Sequence, residues 1–148
     1  MKRLPALIAC CILGFSLLTQ AGGRPGQVAI ASAHPAATVA GLETLAAGGN
    51  AFDAAVAVSA ALAVTEPYGS GLGGGGFFLL RKAGDKPAYH FLDAREKAPQ
   101  AATPDMYREQ PARSLDGALA AAIPGLPAAL ADLASRYGRL PLAASLAP

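Results

Sequence analysis

Residues 28–33 (Val28, Ala29, Ile30, Ala31, Ser32, Ala33) alternate larger and smaller side chains. That period of two predicts a short strand, ended by His34-Pro35. Pro35 suits a helix's first turn, and Val39, Leu42, Leu45 and Ala46 recur at three and four positions, which predicts a helix over 35–47. Gly48-Gly49 stops it, since glycine accepts the left-handed conformation that closes helix ends. Asn50 is a favourable N-cap for the next helix, with Asp53 in the first turn, where the helix dipole favours negative charge. From 51 to 64 Asp53 is the only charge and the pattern is apolar nearly all round, so burial on more than one face is expected up to the stop at Pro67.

Beyond the glycine run at 71–76 the period returns to two. Phe77 to Lys82 reads as a buried strand, 83–87 as a turn, and 88–95 as a second strand, together an antiparallel hairpin. Tyr89, Phe91, Asp93 and Arg95 share one face of that second strand, and the aromatic half of this face is expected to point at a core. Prolines and polar residues over 99–114 predict a surface loop. Leu126, Leu130, Leu133 and Tyr137 then form one stripe of a helix over 124–137, stopped by Gly138, and a further helix begins near Pro141.

The first 21 residues follow a third pattern. A basic start (Lys2, Arg3), an uncharged run from Leu4 to Leu18 and small residues near Ala21 make the layout of a secretory signal peptide, cleaved after Ala21 and followed by a linker over 22–27. The expected product is exported, periplasmic or extracellular. The run is short of the roughly 20 residues of a membrane span, so no stable membrane anchor is expected. Cys10 and Cys11, the chain's two cysteines, fall in this segment, leaving the product without a thiol or disulfide. Leu7-Ile8-Ala9-Cys10 has a faint lipoprotein-site pattern, but the apolar run continues past Cys10.

Composition narrows the picture further. The 148 residues are 53% hydrophobic and 15% charged, which is globular rather than disordered, with much of the apolar content supplied by alanine. The formal charge of +2 rests on Lys2 and Arg3. The processed product is therefore neutral, and no basic face argues for nucleic acid.

Several motifs fail on context. Gly71 to Gly76 satisfies G-x-G-x-x-G, yet a nucleotide site needs a strand before and a helix after, the reverse of the order here. A tight backbone crossing, or positive φ, is the expected use of these glycines. His34 and His90 lack companions for a metal site, Ser70 lacks a nucleophile turn with a partner histidine, and Asp53 and Glu66 read as capping or solvated charges at the two helix ends. No cofactor is called for.

The order of pieces is more specific. Gly48-Gly49-Asn50-Ala51-Phe52-Asp53-Ala54-Ala55, the glycine run into Phe77-Phe78, and Asp93-Ala94-Arg95-Glu96-Lys97-Ala98-Pro99 together resemble the amino-terminal part of the γ-glutamyltranspeptidases. Pro124-Gly125 and Tyr137 to Leu142 extend the likeness, which runs over 27–148. The resemblance implies an α+β fold, the αββα sandwich of the N-terminal nucleophile hydrolases, incomplete in this chain. It implies a precursor that cuts itself into a large and a small subunit. The threonine heading the small subunit attacks the γ-glutamyl amide of glutathione or a related donor and passes the glutamyl group to water, an amino acid or a peptide.

On that comparison the chain carries no catalytic residue, and Arg95 is its one substrate-binding residue, clamping the donor's α-carboxylate. A guanidinium suits the task because it offers two parallel donors and keeps its charge. Asp93 is expected to orient it. Read without the resemblance, Arg95 is a surface ion-pair partner of Asp93 or Glu96. The 148-residue polypeptide alone is expected to be inactive and poorly soluble. Two alternatives stand beside this: an acylase of the same family acting on cephalosporins or glutaryl amides, and a non-catalytic exported remnant.

Overall fold

The computed structural model describes residues 28–148. The expected signal peptide, the linker and Cys10 lie outside the described residues.

Helix α1 (Pro35–Ala46) starts where proline pre-sets the first turn, with the His34 Nδ1 atom accepting the Ala36 N–H at 3.2 Å. Its end is a Schellman turn. Gly48 N–H reaches Leu45 O at 3.1 Å and Gly49 N–H reaches Thr44 O at 3.0 Å, with Gly48 at φ 94°, where a Cβ would be strained. Helix α2 (Ala51–Thr65) opens on a complete capping box: Asn50 Oδ1 accepts from Phe52 and Asp53 N–H, and Asp53 Oδ2 accepts from Asn50 N–H. Pro67 ends α2 as predicted but also begins the short helix α3 (Pro67–Ser70).

Residues 28–33 are a correction. They form no strand; the segment lies along the α1–α2 pair, with Ile30 and Val58 both closing on Gly41. Alternation is a property of one segment, whereas a strand needs a neighbour to take its N–H and C=O groups. Among the described residues the sheet is one hairpin, with no partner for 28–33.

That hairpin is β1 (Phe77–Lys82) against β2 (Ala88–Asp93), antiparallel, with Phe77 opposite Asp93 and Lys82 opposite Ala88. Gly76 and Ala94 exchange one further pair of backbone hydrogen bonds, at 3.2 and 3.0 Å. The expected facing is reversed. Leu80 and Ala94 are buried, and Phe78 and Leu92 pack with Leu80 on the core, while Tyr89 and Phe91 are 68% and 64% exposed. Phe77 and Phe91 stack on that open face with centroids 5.5 Å apart. Nor is β1 a buried strand throughout, since Leu79 is 75% exposed. Both faces carry large apolar residues, so period two tells which side chains travel together but not which set is covered.

Helix α4 (Leu126–Tyr137) supplies the predicted leucine stripe, and Leu126, Leu130 and Leu133 join Val56 and Leu80 in the core. The region before it, 99–125, is turns plus a 3-10 turn at Pro111–Ser114. A short helix α5 (Leu142–Ser145) follows Pro141. The second half of α2 is half-buried rather than enclosed, with Val64 open to solvent. Among the described residues no helix is long and apolar enough to cross a membrane.

Candidate functional site

Arg95 lies two residues past the end of β2, at the rim of a cleft of about 400 Å³ between the strand end and α4. Leu92, Asp93, Lys97, Ile123, Ala129 and Asp132 line the same cleft. Two strips of backbone fix the position of Arg95. On one side is the glycine run: a Cβ built on Gly75 would lie 2.4 Å from Ala94 O and 2.9 Å from Arg95 Cα. On the other, a Cβ on Gly125 would lie 2.2 Å from Ala94 O and 2.6 Å from Arg95 O. Gly74 O ties the strips together by accepting both Gly125 N–H and Leu126 N–H at 3.2 Å, and Lys97 and Ile123 exchange hydrogen bonds just beyond. The glycines thus serve as a backbone crossing, without positive φ anywhere in 71–76.

The Arg95 side chain is about 60% exposed, and its Nε lies 3.2 Å from Glu96 Oε2. Asp93 does not orient the guanidinium. Its Oδ1 accepts the Arg95 backbone N–H at 2.9 Å, an Asx-type turn that shapes the strand exit instead. The Nη1 and Nη2 groups make no hydrogen bond or ion pair among the described residues. The arrangement presents a charged, planar, two-donor edge beside a cleft, and such an edge matches a carboxylate.

The remaining candidates fall elsewhere. Asp53, read from sequence as a capping or solvated charge, is both cap and fully buried hub. It takes N–H groups from Arg139 at 2.9 Å and Leu140 at 3.3 Å, with Ser145 Oγ at 3.5 Å, while Asn50 Nδ2 donates to Tyr137 O at 2.7 Å. The start of α2 is thereby locked to the end of α4. Burial pushes the Asp53 carboxyl up, but the N–H donors of Asn50, Arg139 and Leu140 and the Ser145 hydroxyl outweigh it and hold it below the ordinary aspartate value. His90 packs its ring 5.6 Å from Tyr137, and Glu66 joins α2 to α3. Neither these residues nor His34 and Ser70 line the Arg95 cleft. Among the described residues no three His, Cys, Asp or Glu side chains gather as a metal set.

Of the two ion-pair partners the sequence offered Arg95, the structure has Glu96 and not Asp93; the crossing at Gly125 was not foreseen. The signal for Gly125 was a lone Pro-Gly before a helix, which looks like any helix entry.

Helices packed on an antiparallel hairpin, with an arginine at the strand exit, define an α+β fold of the N-terminal nucleophile hydrolase type, incomplete in this chain. Residues 37–148 match the sequence model of the family described as gamma-glutamyltranspeptidase, and the chain belongs to that family. It is 44% identical over 125 residues to the glutathione hydrolase proenzyme of Escherichia coli K12, covering 80% of this chain and 21% of that protein. The Helicobacter pylori gamma-glutamyltranspeptidase crystal structure superposes with a TM-score of 0.75 at 39% identity, over 83% of this chain and 36% of that one. A cephalosporin acylase from Bacillus halodurans gives 0.69 at 36% identity, over 85% and 26%. The chain spans about a fifth of the length of the curated relatives it matches.

Proposed function

We propose that the chain is the front part of the large subunit of an exported γ-glutamyltransferase or glutathione hydrolase, in which Arg95 clamps the α-carboxylate of the γ-glutamyl donor. The observation that carries this reading is the free Nη edge of Arg95 at the cleft rim, inside the Asp93-to-Pro99 motif. The bond-breaking groups belong to the small subunit: a threonine released by self-cleavage attacks the amide, its α-amine serving as base, and the acyl-enzyme yields to water or an amine acceptor. The heterodimer is then the active species, and export follows from the signal-like start.

The test is donor kinetics of the complete, processed protein. Arg95→Ala is expected to lower kcat/KM for a γ-glutamyl anilide by about 100-fold, in line with the loss of a charge-assisted bidentate contact. Unchanged kcat/KM sinks the assignment.

A second reading, acylase action, is favoured by the similarity to the cephalosporin acylase. Glutaryl and γ-glutamyl groups carry the same distal carboxylate and differ by an α-amino group, so Arg95 serves either donor. Parallel assays with glutathione and a glutaryl amide separate the two: preference for glutathione supports the hydrolase, and preference for the glutaryl amide supports the acylase.

A further inference from the structure

The cleft beside Arg95 holds a second cation that the proposed clamp does not use. Arg95 and Lys97 both line it, and Glu96 between them does not; the Glu96 carboxylate lies toward the glycine run, where a Cβ on Gly74 would come within 3.4 Å of Oε1. The two cations therefore share the cleft side of the chain, from roots at most about 7 Å apart. Lys97 is anchored through its backbone: its N–H donates to Ile123 O at 3.1 Å, and its C=O accepts from Ile123 N–H at 2.8 Å. Its side chain, by contrast, is exposed and makes no ion pair among the described residues. The two carboxylates that line the same cleft have other partners. Asp93 Oδ1 accepts the Arg95 N–H at 2.9 Å, and Asp132 Oδ2 is paired with Arg136 Nη1 at 3.0 Å.

Two neighbouring cations at one cleft fit a donor with two carboxylates. Glutathione is such a molecule, with the α-carboxylate of its glutamyl residue on one side of the γ-amide and the terminal carboxylate of its glycine on the other. We infer that Lys97 receives the terminal carboxylate of the departing dipeptide while Arg95 holds the glutamyl α-carboxylate, which makes Lys97 a specificity-determining residue for peptide donors. The inference rests on the reading of Arg95 as the donor clamp and adds a contact beyond the bond that is cut. Each cation suits its place. The planar guanidinium fixes the carboxylate of the group that is transferred, and the ammonium, a point charge with three donors on a flexible stem, accepts a terminal carboxylate from a range of directions.

The test pairs Lys97 with the carboxylate itself in the complete, processed protein, using glutathione and its glycine carboxamide, which lacks only that charge. The parent should show a kcat/KM about fivefold higher for glutathione than for the carboxamide, the upper end for an ion pair on an open rim. Lys97→Met keeps the apolar stem and removes the charge, so it should bring the two donors level. Lys97→Arg should keep the preference and Lys97→Glu should invert it. Arg95→Ala should weaken both donors alike, because both carry the glutamyl α-carboxylate.

A parent that does not distinguish the two donors, or a preference that survives in Lys97→Met, overturns the inference and leaves the clamp in place. An equal loss for both donors in Lys97→Met overturns it too, since a disturbed cleft, not a lost contact with the carboxylate, gives that pattern. If Arg95→Ala leaves both donors untouched, the clamp reading fails whatever the Lys97 variants show, and the two-cation arrangement fails with it.

Discussion

Three carboxylates show how differently one chemical group is used. Asp93 accepts the Arg95 backbone N–H and Glu96 pairs with its guanidinium, whereas Asp53 is buried and has no part in the cleft. Asp53 is surrounded by N–H donors, so its folded-state pKa lies below the unfolded value. Its contribution to stability is accordingly present above the unfolded pKa of about 3.9 and is lost as pH falls through the depressed folded value. Asp53→Asn should cost about 2–4 kcal/mol at neutral pH, because the amide must turn an NH2 toward backbone donors in a buried site. Melting temperatures of the complete protein between pH 7 and pH 3 would check this: the variant starts lower and loses less as pH falls. A parent and variant that run parallel across that range would refute it. A helix-start aspartate was legible in the sequence; its burial was not, because the groups that bury it, from Arg139 to Ser145, lie far along the chain.

Element boundaries were legible wherever a local chemical device sets them. The stop at Gly48-Gly49 and the capping box of Asn50 and Asp53 are short-range hydrogen-bond patterns that the sequence specifies by itself. The covered face of the hairpin and the loss of the 28–33 strand depend on partners distant in sequence, so periodicity left them open. The glycine run lies between these cases. The helix-then-strand order excluded a nucleotide site and left a crossing or positive φ open, and the second strip, at Gly125, was not readable at all. Gly125→Ala places a methyl 2.2 Å from Ala94 O, where the obstacle is the backbone of Ala94 and Arg95 and has no rotamer to escape into. A loss of about 2–3 kcal/mol is expected for such overpacking. Thermal melting combined with donor KM tests it, since displacement of residues 94 and 95 should raise KM as well as lower the melting temperature. An unchanged KM in a folded variant would mean that the crossing does not govern Arg95.

At the scale of the molecule, the hairpin is apolar on both faces but covered on one. Helices α2 and α4 pack on Leu80, Phe78 and Leu92, while Phe77, Leu79, Tyr89 and Phe91 are 59–75% exposed. A two-stranded unit with so open an apolar face is a poor end state in water, and a sheet apolar on both sides belongs between two layers. The proposed reading supplies a reason: in a sandwich fold the open face of the hairpin is covered by a further layer. The same substitution should then act with opposite sign in two settings. Phe91→Lys in the 148-residue polypeptide removes exposed apolar surface, so soluble yield should rise and binding of a hydrophobic dye should fall. In the complete protein of that reading the same lysine should be buried at the layer interface without a partner. A cost of several kcal/mol is expected there, seen as impaired folding and self-cleavage. On the proposed reading, in which Arg95 binds the donor and the small subunit breaks the bond, neither form of the short polypeptide should hydrolyse a γ-glutamyl anilide. Equal tolerance of Phe91→Lys in both settings would show that this face stays in water in the complete protein.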